Sequence, residues 1–277
     1  MSDRVSINLV EGVADVRLNR ADKMNALDGA MFQALHEAGR SIAEEPDVRA
    51  VVLSGEGRCF CAGLDVGNFT AGAGAQSTNS DAGSGKNLLD KQEGSIANYA
   101  QQPGWVWQSL PVPVIAAVHG VAFGGGLQIA LGADIRIVAP DARMSVMEIK
   151  WGLVPDMSGT QTLRNLVRLD VAKELTFTGR IVSGTEAREI GLATHVSETP
   201  YEDAMAMANE IATKSPSAVR SGKQLLNEAV VGSYADGLAL EARLQAELIG
   251  KPEQIETVKA QIAGRPASYA PKSSGGK

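Results

Sequence analysis

The first part of the chain carries two kinds of hydrophobic pattern. Residues 6–19 alternate apolar and polar side chains on either side of Glu11 and Gly12, and this alternation predicts a β-hairpin. A helical period follows, because apolar side chains recur every three to four positions after Asp28, a residue suited to cap a helix. The members of that stripe are Met31, Leu35, Ala38 and Ile42.

Continuous apolar runs further along predict buried strands. Each run is short and ends in a turn-forming or polar residue, which favours a strand covered on both faces. The runs span residues 50–55 and 113–120, and residues 135–139, which include Arg136, are a third candidate strand. Residues 71–86, between the first two runs, are rich in Gly, Ala and Ser, and we expect a mobile loop there that acts as an active-site flap.

From about Leu163 onward the pattern becomes helical. Apolar residues recur every three to four positions in residues 171–179, 201–215, 217–230 and 234–250. We therefore predict an α/β core over residues 1–200, followed by a helical carboxyl-terminal region over residues 201–277. Helices with apolar stripes and no sheet of their own often cover a partner subunit, so we expect a homo-oligomer.

Composition and charge narrow the classes of function. The 277 residues are 44% hydrophobic and 21% charged, as in soluble globular proteins. A net charge of −6 argues against nucleic acid as a partner, because phosphates require a basic face. No apolar run approaches the ~18 residues of a membrane span, and no signal peptide is evident, so we expect a cytoplasmic protein without membrane contact. Cys59 and Cys61 are expected to be reduced thiols.

Three consecutive glycines, Gly124 to Gly126, precede an apolar, helix-like segment. Their spacing fits neither the dinucleotide-binding fingerprint nor the phosphate loop. Glycines at a strand-to-helix turn let a ligand approach the backbone, and free N–H groups at a helix start attract developing negative charge, as an oxyanion hole requires. Close packing of a helix on a sheet is the alternative, although one glycine would satisfy it.

Two acidic residues lie among apolar neighbours downstream. Glu148 follows a Val-Met pair, and Asp156 follows the segment Leu-Val-Pro. Carboxylates in apolar surroundings have raised pKa values and can transfer protons near neutral pH. Either can instead be a surface or capping group, and Asp156 is placed to cap a helix that begins near Ser158.

No metal site is expected, because the histidines lie far apart, and no GxSxG motif suggests a hydrolase.

Four segments of the chain occur in a characteristic order: NRADKMNALD at 19–28, GRCFCAGLDV at 57–66, the segment 116–137 that contains the glycines, and the segment 147–194 that contains both acids. Together they resemble the segments of the crotonase (enoyl-CoA hydratase/isomerase) superfamily, over residues 5 to 265. The resemblance implies a spiral of strand–strand–helix units with a helical carboxyl-terminal region that builds trimers, often paired into hexamers. It also implies acyl-CoA thioester substrates and no further cofactor, since coenzyme A is part of the substrate.

The resemblance also implies roles for individual positions. By motif position, the backbone N–H groups of Leu64 and Gly125 hold the thioester enolate. Four residues match positions near the nucleotide and pantetheine of coenzyme A: Lys23, Ala26, Ala62 and Asp65. Hydratases of the family use two glutamates, at the positions of Gln128 and Glu148, to hold a water and shuttle its proton.

Gln128 departs from that pattern, because an amide does not titrate in the useful range. Asp156, however, follows Glu148 by eight residues, and this spacing resembles the dienoyl-CoA isomerases of the family. Those isomerases have an aspartate where this chain has Gln128, and hydratases mostly have glycine at the position of Asp156. We therefore predict an acyl-CoA isomerase with Glu148 and Asp156 as its acid–base pair and Gln128 shaping the substrate pocket. The alternatives are an enoyl-CoA hydratase whose water is held by Gln128, and a non-catalytic acyl-CoA-binding protein.

Overall fold

A computed structural model describes residues 3–65 and 90–269 of the chain. The segment 71–86, for which we expect a loop, lies outside the described residues. The chain folds into two sheets with helices around them. The strands are β1 (Val5–Val10), β2 (Val13–Leu18), β3 (Ala50–Gly55), β4 (Val114–Val118), β5 (Val121–Phe123), β6 (Ile135–Val138), β7 (Arg143–Ser145), β8 (Val182–Ser183) and β9 (His195–Val196).

The larger sheet has the strand order β1-β2-β3-β4-β6-β9. Strands β1 and β2 are antiparallel and turn at Glu11 and Gly12, both of which have positive φ, so the predicted hairpin is confirmed. The other strands of this sheet pair in parallel, and the three predicted buried strands form β3, β4 and β6. Strands β5, β7 and β8 make a second, smaller sheet.

The helices connect the strands and then dominate the end of the chain. They are α1 (Gly29–Glu44), α2 (Gln102–Ser109), α3 (Gly125–Leu131), α4 (Gly159–Leu166), α5 (Leu169–Thr178), α6 (Gly184–Glu189), α7 (Pro200–Ala212), α8 (Pro216–Ala229), α9 (Tyr234–Leu248) and α10 (Pro252–Ile262). Two 3-10 helices span Ala21–Lys23 and Glu148–Trp151. Asp28 caps α1 as predicted, because its carboxylate accepts the N–H of Met31 at 2.8 Å.

Both faces of the larger sheet are covered. One face packs into the main apolar core, which contains Phe60 and the fully buried Trp107. Helix α7 covers the other face, where the small side chains of Ala204 and Ala208 let it approach a layer that includes Ile115. Parallel strands covered on both faces need apolar side chains on both faces, which explains the continuous runs in the sequence. No helix among residues 3–65 and 90–269 is long and apolar enough to cross a membrane.

A buried ion pair attaches helix α8 to the core. The Lys223 ammonium lies 2.8 Å from the Asp134 carboxylate and donates to the carbonyl of Val112 at 2.9 Å. The same carboxylate accepts the N–H of Val114, the first residue of β4. Burial lowers the pKa of Lys223, and the charge of Asp134 opposes that shift. The pair therefore links helix α8 to the first residue of β4, an interior strand of the larger sheet.

Replacing Lys223 by methionine is expected to lower the free energy of unfolding by about 3 kcal/mol, because breaking a buried pair leaves an uncompensated charge. Chemical denaturation measures the change. Lys214→Met is the matched control, since Lys214 pairs with Glu210 on the surface and such a pair contributes only about 0.3–0.5 kcal/mol. Equal losses in the two variants would contradict the assigned role of Lys223.

Candidate active site

The segments that hold Leu64 and Gly125 lie side by side. The Cys61 N–H donates to the carbonyl of Val121 at 3.0 Å, and the Phe123 N–H donates to the carbonyl of Cys61 at 3.1 Å. Gly63 makes this approach possible, because its φ is +88° and a Cβ there would lie 2.5 Å from the Phe123 carbonyl oxygen. The same Cβ position lies 3.7 Å from the nitrogen of Gly125. The structure thus brings the two residues of the predicted oxyanion hole together.

One backbone N–H next to each of these two residues is occupied. The Asp65 N–H donates to a carbonyl at the end of the 20–27 segment at 3.0 Å, and the Gly124 N–H donates to a carbonyl of β7 at 3.0 Å. Within the described part of the chain, the N–H groups of Leu64 and Gly125 donate to no backbone carbonyl. Gly125 is the first residue of α3, where an N–H has no acceptor inside the helix. This pair of donors is therefore available to a ligand.

The three consecutive glycines do not all stand in this turn for the same structural reason. Gly124 has a φ of +51°, which side chains rarely adopt. A Cβ on Gly126 would lie 2.4 Å from the carbonyl oxygen of Cys61, so this glycine is required by close packing. A Cβ on Gly125 would meet only the side-chain ends of Met157 and Leu27. The packing alternative therefore accounts for one glycine of the three.

Glu148 lies beside this turn. A Cβ on Gly124 would be 3.3 Å from its Oε1, and Glu148 itself is only 8% exposed. Oε1 accepts the Nε2 of Gln128 at 2.6 Å, whereas Oε2 is buried without a hydrogen-bond partner among the described residues. Burial is the main cause that raises the pKa of Glu148, and the negative charge of Asp156 raises it further. The hydrogen bonds from Gln128 and from its own backbone act in the opposite direction.

Gln128 connects the two acidic residues. It is 3% exposed, and its Oε1 accepts the N–H groups of Met157 at 2.8 Å and Gly159 at 3.0 Å. Gly159 begins α4, so the glutamine oxygen satisfies the first free N–H of that helix. The interpretation of Asp156 as the cap of this helix is wrong, because Ser158 occupies the N-cap position and makes no side-chain capping hydrogen bond, while Gln128 accepts the first N–H.

Asp156 lies in the turn that Gln128 holds. Its side chain is accessible to solvent in the single chain, yet the surrounding protein removes part of its hydration and raises its pKa. The charge of Asp156 is one cause that raises the pKa of Glu148, and the hydrogen bonds of Gln128 link Glu148 to the turn that follows Asp156. One member of this pair is buried and the other is open to water.

The predicted coenzyme A positions lie on two backbone segments that pair with each other. The Ala62 N–H donates to the carbonyl of Met24 at 3.0 Å, which places it near Lys23 and Ala26. Lys23 is exposed at the end of its 3-10 helix, and Ala26 is buried. The same two segments pair again further on, because the Leu27 N–H donates to the carbonyl of Gly63 at 2.8 Å. We refer to the four predicted positions as the strip.

Asp65 is held by an arginine that sequence reasoning missed. The Arg20 guanidinium lies 2.7 Å from the Asp65 carboxylate and 3.4 Å from that of Asp28. Arg20 is therefore a structural partner of the strip. Arg20 and Asp65 are 45 positions apart along the chain, so no local pattern in the sequence indicates their contact.

Residues 8–270 match the family described as enoyl-CoA hydratase/isomerase. The chain belongs to this family, the crotonase superfamily. It is 32% identical over 265 residues to the mitochondrial methylglutaconyl-CoA hydratase of Mus musculus, a match that covers 93% of this chain and 79% of that protein. It is 33% identical over 257 residues to the mitochondrial enoyl-CoA hydratase domain-containing protein 2 of the same species, with 90% and 81% covered.

Solved structures agree with the assignment to the crotonase superfamily. An enoyl-CoA hydratase from Bacillus anthracis superposes with a TM-score of 0.83 at 30% identity, covering 96% of this chain and 98% of that one. The crotonase-like fold with its helical carboxyl-terminal region is thereby confirmed. Membership supports an enzyme of the hydratase/isomerase type that acts on acyl-CoA thioesters.

Proposed function

We propose that this crotonase is an acyl-CoA isomerase that shifts double bonds of an enoyl- or dienoyl-CoA, in fatty-acid or related acyl-CoA degradation. The main support for the proposal is the hydrogen bonding of the Gln128 amide. Its oxygen accepts two backbone N–H groups and its nitrogen donates to Glu148, so the amide holds its neighbours in place. An amide does not titrate in the useful range and cannot serve as the second acid or base. Asp156 is then the second titratable group beside Glu148, and two acids along an acyl chain suit a double-bond shift.

Glu148 is the group suited to act at the α-carbon. It lies beside Gly124, next to the Gly125 N–H that would bind the thioester oxygen. An ionised Glu148 removes the α-proton, and the electron pair moves onto the carbonyl oxygen as an enolate. The N–H groups of Leu64 and Gly125 then stabilise the negative charge on that oxygen, away from water.

Asp156 completes the shift. As a carboxylic acid it delivers a proton to the far end of the conjugated system, the double bonds move, and the enolate collapses to the carbonyl. Glu148 now carries a proton and Asp156 is ionised. Because Asp156 is open to solvent, it can regain a proton from water while Glu148 releases one, which restores the starting state.

The strip of Lys23, Ala26, Ala62 and Asp65 is proposed to hold coenzyme A. The exposed Lys23 ammonium is suited to the phosphates of the nucleotide, whereas the small side chains of Ala26 and Ala62 leave room for the pantetheine. This arrangement would direct the thioester toward Gly125.

Hydration of a 2-enoyl-CoA is the second candidate. The names of the related proteins favour it, since methylglutaconyl-CoA hydratase and enoyl-CoA hydratases are among them. In that case Glu148 would activate a water, and Gln128 would hold the water or the carboxylate.

A panel of thioesters separates these candidates. The protein is incubated with 2-enoyl-, 3-enoyl- and 3,5-dienoyl-CoA, and products are identified by mass and ultraviolet spectrum. An isomerase gives a product of unchanged mass with a new conjugated absorbance, whereas a hydratase adds the mass of water. Failure to convert any thioester, with tight binding retained, would instead indicate a non-catalytic acyl-CoA-binding protein.

We further propose that the protein is a homotrimer or a hexamer of two trimers. The carboxyl-terminal helices and the loops near them expose large apolar side chains, among them Leu226, Tyr234, Leu238 and Ile262. Apolar surface of this extent is typical of an interface. Light scattering is expected to give three or six times the chain mass of 29.0 kDa, and a monomer at micromolar concentration would contradict this prediction.

A further inference from the structure

One buried side chain, that of Gln128, contacts Glu148 and the turn that follows Asp156. The amide of Gln128 donates through Nε2 to Glu148 at 2.6 Å and accepts through Oε1 from Met157 and Gly159, on the turn that follows Asp156. A Cβ on Gly159 would lie only 2.6 Å from the Gln128 side chain, so the turn is packed against the amide as well as bonded to it.

The hydrogen bonds also fix which way the amide faces. Two backbone N–H groups require an acceptor, so the oxygen of Gln128 must point at the turn and its NH₂ group must point at Glu148. The donor therefore occupies one oxygen of Glu148 and leaves the buried Oε2 without a partner. A carboxylate at position 128 could accept the same two N–H groups, but it would place a second acceptor against Glu148.

We propose that Gln128 is the positioning residue of the acid–base pair, because its nitrogen holds Glu148 as an ionised base whose Oε2 is left free of hydrogen bonds from the described residues and its oxygen holds the turn that follows Asp156. This inference rests on the proposed isomerase function. It explains the amide at this position, since the second acid of a hydratase would be a competitor of Glu148 rather than a donor to it.

The electrostatic surroundings agree with this role. Burial and Asp156 both raise the pKa of Glu148, and the hydrogen bond from Gln128 is a cause that lowers it. Helix α3, which carries Gln128, has no charged residue. The other charged side chains on the elements around Glu148 are exposed: Arg143, Lys150, Arg164, Asp170, Lys173 and Glu174.

Two variants separate the functions of the amide. Gln128→Met removes both the donor and the acceptor, whereas Gln128→Glu keeps the shape and the acceptor but removes the donor. Gln102→Met is the matched control, because Gln102 is also 3% exposed but donates to the backbone carbonyl of Ala97. The Glu148 carboxyl is titrated without substrate by infrared difference spectroscopy, with Glu148→Gln identifying its band.

The titration of Glu148 is expected to move upward by about one to two pH units in Gln128→Met, the shift for a charged group that loses one hydrogen bond. In Gln128→Glu the two carboxyls are expected to titrate in two coupled steps. Gln102→Met should leave the titration unchanged. Because the ionised base is the active form, kcat of Gln128→Met should fall most at low pH and recover as the pH rises, while KM changes little.

A purely structural role would lower kcat by the same factor at every pH. An unchanged Glu148 titration in both Gln128 variants would overturn the inference, whatever their activity. If the titration moves but the wild-type protein isomerises no thioester, the positioning role stands and the isomerase proposal fails. The titration therefore tests Gln128 separately from the reaction.

Discussion

Glu148→Gln is expected to lower the isomerase kcat by about 10²–10⁴, the usual contribution of a positioned acid or base. The substitution keeps the shape of the side chain but removes its only titrating group. Asp156→Asn is expected to have an effect in the same range, because the shift needs a proton delivered at the far carbon. Steady-state rates on a 3,5-dienoyl-CoA measure both effects.

The variant that carries both Glu148→Gln and Asp156→Asn tests the shared proton path more directly than either single substitution. If the two acids serve one proton path, losing both should cost much less than the product of the single losses. Asp170→Asn is the matched control, since Asp170 is an exposed acid paired with Arg168 and should leave kcat unchanged. An Asp156→Asn protein with wild-type rates on every dienoyl substrate would contradict the isomerase proposal. If water addition is lost in Glu148→Gln but retained in Asp156→Asn, hydration is favoured instead.

Most of the larger sheet could be predicted from the sequence because its strands are buried on both faces. A strand such as Ala50–Gly55 packs into the core on both faces, so four of its six residues in succession are apolar. The hairpin is similarly evident, because the residues of its turn, Glu11 and Gly12, interrupt a clear alternation. These elements can therefore be predicted from the local pattern of apolar and polar residues.

The shorter strands could not be predicted in the same way. Strands β5, β7, β8 and β9 have two or three residues each, too few for an alternating pattern to be recognised. They pair because the surrounding fold brings their backbones together, as Val121–Phe123 beside Arg143–Ser145 illustrates. Tertiary context, and not local propensity, determines these segments.

The candidate site shows the same division. Spacing and family resemblance singled out Glu148 and Asp156, and in the structure Gln128 joins Glu148 to the turn that follows Asp156. The hydrogen bonds of Gln128 could not be predicted, because they join positions 20 to 31 residues apart through a backbone turn. From the sequence, Gln128 was evident only as a departure from the family pattern; its three partners became visible in the fold.

Gly125→Pro is expected to lower kcat by about 10²–10³, because it removes one of the two N–H donors proposed to hold the enolate oxygen. Gly125 is the first residue of α3, a position where helices accept proline readily, since its N–H has no acceptor within the helix. The preceding residue is a glycine, which tolerates the neighbouring ring. The helix should therefore persist while the donor is lost.

Gly125→Ala is the matched control for this substitution. It introduces the same Cβ, which meets the movable ends of Met157 and Leu27, but it keeps the N–H. The difference in kcat between the proline and alanine variants thus isolates the donor from the added bulk, provided that thermal unfolding shows both to be folded. Leu64→Ala should be mild, because only the backbone of Leu64 is proposed to act. A folded Gly125→Pro protein that turns over as fast as Gly125→Ala would show that the enolate is stabilised without this N–H, and the oxyanion hole would have to be assigned elsewhere.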